Sequence, residues 1–362
     1  MAVVMRARLP LLVESRRARA LEVPTMPRDF GVQGALRDAR GRTYSYARIS
    51  VTDRCDMACV YCMPVGGEPE HGVRAELLSD EEIARLVRVL ARLGVRRIRL
   101  TGGEPLVRRG MPELVAAIRE AGASEVVLTT NASLLARHAD ALARAGLAGV
   151  NVSIDSLRAD RFAEITRGGA LVDVIEGIDR AREVGLRVKT NTVVLRDVND
   201  DELDTIATWA WARDITPRFI ELMPIGEAAQ LPTAMRVAAA EMRARLSAWL
   251  IEERGDADEG AGPARYVNAR DGSARRAGFI SATSDEFCGT CNRVRVTSHG
   301  ELRACLADRA SVSLRDAMRA GAADVDLAWS IAWALGAKRD GHEFASNESR
   351  EHESIGMSLI GG

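Results

Sequence analysis

Between Tyr44 and Leu222 the chain alternates short β-branched runs with amphipathic helical stretches, and this repetition constrains the fold more than any other feature. Tyr44 to Thr52 reads as the first strand. Five more follow at 96–101, 125–130, 150–154, 186–194 and 218–222, separated by helices that begin at Ser79 and then lie near 111–121, 133–145, 172–184 and 200–213. Ser79 and Glu82 form a capping box ahead of the stripe Ile83, Leu86, Val87, Leu90 and Leu93, and Gly94 ends that helix. Six strands with intervening helices, and a last helix near 237–251, point to an α/β protein with a parallel sheet. Curled, it is a partial (β/α)6 barrel of the TIM type; left open, it is a doubly wound sheet.

The strand ends say where chemistry would sit. They read Thr101-Gly102-Gly103-Glu104, Thr129-Thr130-Asn131, Ser153-Ile154-Asp155, Lys189-Thr190-Asn191, and Glu221 before Met223. In parallel α/β folds this rim carries the active site. A single Thr or Asn there is explained as a helix cap, but every strand end is polar and a cysteine loop shares the rim. That loop follows the first strand and spaces Cys55, Cys59 and Cys62 as C-x3-C-x2-C. Three thiolates on a 4Fe-4S cube leave one iron open to a small molecule. A structural zinc site would need a fourth ligand and a disulfide cannot use three cysteines, so the spacing favours iron-sulfur.

The 362 residues, 47% of them hydrophobic, suffice for one large core and a smaller appended module. A net charge of -1 offers no global attraction to nucleic acid or membrane, so any anion site must be local. No apolar run approaches the roughly 20 residues of a membrane span. Residues 1–40 are arginine-rich, but Glu14 and Glu22 interrupt the pattern of a transit peptide, so they read as a poorly ordered extension. The cations are lopsided: Lys189 and Lys338 are the chain's lysines, and every other basic residue is arginine.

The acidic, glycine-rich stretch at 252–260 marks a boundary, giving a barrel over 41–255 and a module over 256–362. In that module Cys288, Cys291 and Cys305 form a second three-cysteine set, C-x2-C-x13-C, with Gly300 in a hairpin turn between its last two members. Arg293 and Arg295 lie two apart on a strand and so share a face beside the cysteines. Alternating arginines are ordinarily a solvated face; the neighbouring cysteines favour anion binding instead.

With these motifs in place, the chain from about Gly41 to Gly362 resembles the radical S-adenosylmethionine (SAM) enzymes, and within them the GTP 3',8-cyclases of molybdenum cofactor biosynthesis. The resemblance rests on the first cysteine set with Tyr61, the Gly102-Gly103-Glu104-Pro105 turn, the second cysteine set with Arg293 and Arg295, and the Gly361-Gly362 terminus. It implies two 4Fe-4S clusters, the first on Cys55, Cys59 and Cys62 with SAM on its open iron, the second on Cys288, Cys291 and Cys305 with substrate on its own. SAM contacts would fall on Tyr61, Gly103, Ser153 and Met223. GTP contacts would fall on Arg48, Arg99, Thr129, Lys189, Arg293 and Arg295, with Arg97 and Arg218 as further positions. The two cysteine sets' chemistry would be reductive cleavage of SAM, hydrogen abstraction from ribose C3' and attack of the sugar radical on guanine C8. Arg293 and Arg295 would take part in it. The C-terminal module would close the barrel mouth, and the double-glycine tail would reach into the site. An external electron donor, a downstream cyclic pyranopterin monophosphate synthase, a homodimer and a cytoplasmic location complete that picture. Asp56, Ala132 and Arg97 depart from residues usual in the family, namely Asn, Gly and Lys. Another radical SAM enzyme with an auxiliary cluster, acting on a peptide or tetrapyrrole, and a zinc-stabilised nucleotide-binding protein are the competing readings.

Overall fold

The computed structural model describes residues 19–31, 34–65, 71–251, 262–308, 310–336, 338–341 and Met357; the acidic stretch 252–260 and the Gly361-Gly362 tail lie outside the described residues. A two-residue strand, β1 (Arg19–Ala20), precedes the six expected parallel strands. These are β2 (Tyr46–Ser50), β3 (Arg97–Thr101), β4 (Glu125–Thr130), β5 (Gly149–Ser153), β6 (Arg187–Val194) and β7 (Thr216–Glu221). The helices between them are α1 (Asp80–Arg92), α2 (Met111–Glu120), α3 (Leu135–Arg144), α4 (Ala159–Thr166), α5 (Leu171–Glu183) and α6 (Leu203–Trp211), with α7 (Ala239–Arg245) after β7. Helix α1 starts at the expected capping box: Ser79 Oγ accepts from Glu82 N at 3.2 Å and Ser79 N donates to Glu82 Oε2 at 2.8 Å. Such a cap contributes about 1 kcal/mol.

The strands obey a period of two. Ala47, Ile49, Ile98, Leu100, Val126, Leu128, Val150 and Val152 are buried in one core with Leu86 and Leu90 of α1, Ile118 of α2, Leu142 of α3 and Ile178 of α5. Each buried aliphatic side chain contributes about 1.5–3 kcal/mol. The alternate set, which includes Arg48, Arg99, Thr129, Asn151 and Asn191, lines the interior of the curl.

The C-terminal region adds its strands to the sheet of the expected partial barrel. Its strands are β8 (Arg265–Asn268), β9 (Arg276–Ile280), β10 (Arg293–Val296), β11 (Glu301–Arg303) and β12 (Ala310–Ser313), followed by α8 (Leu314–Arg319) and α9 (Asp324–Gly336). All strands form one sheet in the order β1-β12-β11-β10-β2-β3-β4-β5-β6-β7-β9-β8. Strand β9 is parallel to β7 and β10 is parallel to β2, so the parallel array gains one strand at each edge. Residues 281–292, between β9 and β10, run from one edge of the array to the other. A segment of that length reaches at most about 40 Å when extended. The result is an open partial barrel whose two edges are joined by a loop.

The described part of the N-terminal extension is bound to the body rather than poorly ordered. Strand β1 pairs with β12, Phe30 meets Trp329 edge-on at 5.2 Å, and Leu36 N donates to Leu93 O at 2.8 Å. Helices α4, α8 and α9, absent from the sequence reading, cover segments whose patterns are too short or too uniformly apolar to announce a helix. Among the described residues no helix is long and apolar enough to cross a membrane.

Helices α3 and α5 cross closely at Gly177, where an added Cβ would meet Ala132 O at 2.6 Å and Leu135 Cβ at 3.0 Å. Alanine gains about 1 kcal/mol of helix propensity over glycine, whereas overpacking costs about 1–3 kcal/mol. Gly177→Ala is therefore expected to lower the denaturation midpoint, and a raised midpoint would show that the two helices can part.

Candidate functional site

The first cysteine loop leaves β2 and is held from three sides. Ala58 N and Val60 N donate to Thr166 O and Ile165 O, at 3.1 and 2.9 Å, at the end of α4. Arg167, whose φ of 53° places it in the left-handed region, donates from Nη1 to the carbonyls of Ala58, Met63 and Pro64 at 2.7–3.1 Å. Tyr61 Oη donates to Asp155 Oδ2 at 2.5 Å, and Asp155 Oδ1 accepts from Val193 N at 2.8 Å. The loop is thus clamped to the ends of β5 and β6 by the tyrosine between its last two cysteines.

The Gly102-Gly103-Glu104 turn packs beneath the loop's entry. A Cβ on Gly103 would meet Arg54 O at 2.3 Å, and one on Gly102 would meet Thr52 O at 2.5 Å. Both glycines are therefore required for the approach of the two backbones. Gly103 N donates to Thr52 O and Glu104 N to Arg54 O, at 3.0 and 2.8 Å. The fully buried Glu104 carboxylate accepts from Leu106 N, Thr130 Oγ1 and Asn131 N at 2.7–2.9 Å. Burial nevertheless pushes its pKa up to about 7 and that of Asp155 up to about 6. Asp56, in place of the family's Asn, accepts from Asn131 Nδ2 at 2.7 Å and Ser133 Oγ at 2.5 Å. A carboxylate offers both donors an oxygen; an amide would offer one. Ala132, where Gly is usual, holds a φ of 65°.

These carboxylates bear on the thiols. Burial pushes Cys55 up to about 12, with Glu104 and Asp56 adding to it, and burial followed by Asp155 raises Cys59.

Across the curl lies a cavity with about 1140 Å³ of atom-free space, counting its open mouth. Arg42, Arg48, Arg99, Arg218, Arg293, Arg295, Lys338 and Arg339 line it, and among the described residues no Asp or Glu does. Register explains the crowding: Arg295, Arg48 and Arg99 are direct neighbours in one row across β10, β2 and β3. Burial pushes Arg48 well below the usual arginine range, and Arg295, Arg99 and Arg293 push it further. Arg295 is held down to about 10 by burial and then by Arg293. Two nitrogens of the buried Arg218, Nε and Nη2, have no hydrogen-bond partner. At 8% and 6% exposure, Arg293 and Arg295 do not form a solvated face.

The second cysteine set lines the same cavity. Arg42 positions it: Nη1 donates to Cys288 O at 3.1 Å, Nη2 to the carbonyls of Lys338 and Arg339 at 3.2 Å, and Nε to Asp38 Oδ2 at 2.5 Å. Arg293 Nη2 and Lys338 Nζ lie 3.6 and 3.2 Å from Cys291 Sγ. Although burial raises the Cys291 pKa, these two cations bring it down to about 6.

Of the residues singled out in the sequence, Arg48, Arg99, Thr129, Arg218, Met223, Arg293, Arg295, Cys288, Cys291 and Cys305 meet in this cavity. Ser153 lies at the rim end of β5, opposite Asn191 in register. Arg97 and Lys189 lie outside the lining. Arg97 pairs with Glu125, which also holds Arg187, and Lys189 Nζ is 3.1 Å from Tyr266 Oη and 4.9 Å above its ring. Arg42, Asn151 and Phe287 line the cavity and escaped the sequence reading, whereas Asn191 and Lys338 were noted there, as a strand end and as a rare lysine, without a contact role. Only the alternation along β5 could have signalled Asn151, and Arg42 and Phe287 depend on contacts distant in sequence.

The donor sets suit iron-sulfur clusters. All six cysteines are free thiols, and a cluster takes one thiolate per iron.

Residues 49–210 match the radical SAM superfamily and residues 215–344 match the Molybdenum Cofactor Synthesis C family. The chain is 45% identical over 336 residues to a GTP 3',8-cyclase of Pelotomaculum thermopropionicum, spanning 90% of this chain and 100% of that one. It is 42% identical over 351 residues to a GTP 3',8-cyclase of Caulobacter vibrioides, spanning 95% and 98%. Among solved structures, Streptococcus suis SuiB bound to precursor peptide SuiA aligns with a TM-score of 0.55 at 14% identity, over 85% of this chain and 64% of that one, a likeness of fold alone. With relatives aligned over nearly their whole length at more than 40% identity, and a three-cysteine loop on the rim of an open parallel barrel, the chain belongs to the GTP 3',8-cyclase family of the radical SAM superfamily.

Proposed function

We propose that the chain converts GTP to (8S)-3',8-cyclo-7,8-dihydroguanosine 5'-triphosphate, the first step of molybdenum cofactor biosynthesis. The observation that carries this reading is the cavity in which the second cysteine set stands among buried cations, with no carboxylate in its lining among the described residues. Crowded like charges in a low-dielectric interior repel one another. A bound triphosphate reverses the sign of that interaction, which a neutral or cationic substrate would not.

In this reading Arg48, Arg99, Arg293 and Arg295 hold the triphosphate, and Arg218 directs its two unsatisfied nitrogens at the same anion. Thr129, Asn151 and Asn191 supply neutral hydrogen-bonding groups between the charged side and the first cysteine loop. Ile220, Met223, Ile280, Phe287 and Leu306 give the cavity apolar wall that excludes water from a carbon radical. Gly103 and Ser153 border the first cysteine loop and, with Met223, form the SAM side. Tyr61 acts there by holding the loop on Asp155. Lys189 sits one register step from Asn151 and reaches the substrate only by leaving Tyr266. Cys55, Cys59 and Cys62 would hold a cluster that would supply the electron for reductive cleavage of SAM, and Cys288, Cys291 and Cys305 would hold a second that would bind the guanine base. An external electron donor, a cytoplasmic setting and delivery of the product to a cyclic pyranopterin monophosphate synthase belong to the same proposal. Met357 packs against Ile225 and Ala307, as Met223, Cys305 and Leu306 do.

The test is anaerobic incubation of the reconstituted chain with GTP, SAM and a reductant, followed by identification of the product. Absence of the cyclised nucleotide would overturn the proposal. Iron and sulfide analysis is expected to give about eight irons per wild-type chain and about four after Cys288, Cys291 and Cys305 are all changed to Ala; zinc without sulfide would defeat the radical reading. Arg295→Ala is expected to weaken GTP binding, measured by anaerobic calorimetry, by roughly ten- to hundredfold, the worth of one charge-assisted hydrogen bond. SAM cleavage should persist in that variant.

A further inference from the structure

Lys338 is one of two lysines in a chain that otherwise uses arginine. Its side chain is buried against the start of β10 and the Tyr44 ring, beside Cys291. Its ammonium has three neighbours: Cys291 Sγ at 3.2 Å, the Arg293 carbonyl at 3.4 Å and the face of the Tyr44 ring at 4.9 Å. An ammonium has three N–H donors. A thiolate, a carbonyl and an aromatic face engage all three, which leaves none for a substrate. A guanidinium is wider and holds its donors in one plane, so it cannot match three partners arranged around a tetrahedral ammonium.

The surroundings fix this ammonium from both ends. Tyr44 Oη donates to Asp38 Oδ2 at 2.8 Å, which sets the ring beneath it, and Arg42 grips the backbone carbonyl of Lys338 itself. The same Arg42 holds the Cys288 carbonyl. The lysine and the cysteine loop are therefore positioned by one buried group and cannot drift apart independently.

We infer that Lys338 is a positioning residue that raises the reduction potential of the second cluster through an N–H···S bond to Cys291, and is not a substrate contact. This inference rests on the reading that Cys288, Cys291 and Cys305 hold a cluster. Reduction adds negative charge to a cluster, and a fixed cation and hydrogen bond at one of its sulfurs stabilise the reduced form. At the first set, Cys55 Sγ has a carboxylate and a neutral amide beside it, Asp56 Oδ1 at 4.0 Å and Asn131 Nδ2 at 3.9 Å. The second set has a cation at one of its sulfurs where the first has a carboxylate, which favours the electron on the substrate side.

The experiment is a redox titration of the full chain carrying both clusters, followed by electron paramagnetic resonance, in wild type, Lys338→Met, Lys338→Gln and Lys338→Arg. The first cluster serves as the internal reference. Lys338→Met is expected to lower the second cluster's midpoint by about 59 mV, a tenfold change in its one-electron reduction constant. Lys338→Arg should fall between Met and wild type, with the first cluster's midpoint and the GTP dissociation constant unchanged. An unmoved second midpoint in both neutral variants overturns the inference, as does weakened GTP binding without a shift in potential. Loss of the second cluster in all three variants also overturns it, since Lys338 would then be part of the scaffold. A wild-type chain that holds one cluster only would instead sink the reading on which the inference rests.

Discussion

Parallel strands that stop short of ring closure leave an interior that is neither filled core nor open surface, and the rest of this structure follows from how that gap is handled. Here the edges β9 and β10 are not hydrogen-bonded to each other. Residues 281–292 join them, and Cys288 and Cys291 lie on that connection. A closed barrel of this size packs its interior with branched side chains. An open one can spare that volume, and its inward positions are taken by Arg48, Arg99, Thr129, Asn151 and Asn191. The segment that closes the cavity also carries two of the three thiols of its second set.

Charge is distributed across the cavity with opposite sign at the two cysteine sets. Burial, with Glu104, Asp56 and Asp155 adding to it, raises Cys55 and Cys59 of the first; against burial, Arg293 and Lys338 pull Cys291 of the second down to about 6. Glu104 and Asp155 stand just past strand ends on the rim and Asp56 in the cysteine loop, while the arginines occupy the rows below, where β10, β2 and β3 lie in register. Since a net charge of -1 gives the whole chain almost no field, this local separation supplies the electrostatics that an anionic substrate needs.

Rigidity at the first loop comes from unlike sources that converge. Arg167 gathers three carbonyls, Tyr61 reaches Asp155, and the glycine pair lets Thr52 and Arg54 pack against the next strand end. None of these contacts touches a thiol, yet together they set where three thiols stand. Asp56 shows the same logic at a departure from the family pattern, since its second oxygen accepts from Ser133 as well as Asn131.

The alternation from Tyr44 to Leu222, the capping box at Ser79, both cysteine sets and the placement of Arg293 and Arg295 on one face were legible in the sequence, because each is a local pattern of period two, period 3.6 or fixed spacing. Residues 19–40 were misjudged, because pairing of β1 with β12 joins segments far apart in the chain. Arg97 and Lys189 sit on strands as expected, yet Glu125 and Tyr266 claim them, and no spacing rule reveals such a partner. The sequence by itself determined that a parallel array would present thiols and cations on one rim. Only the tertiary structure decided that β9 and β10 extend that array at both edges, that one loop joins them, and that Arg42 and Lys338 stand behind the second thiols. Strand pairing across more than 200 residues is settled by which buried edges and charges can be satisfied together, a property of the packed whole rather than of any window of sequence.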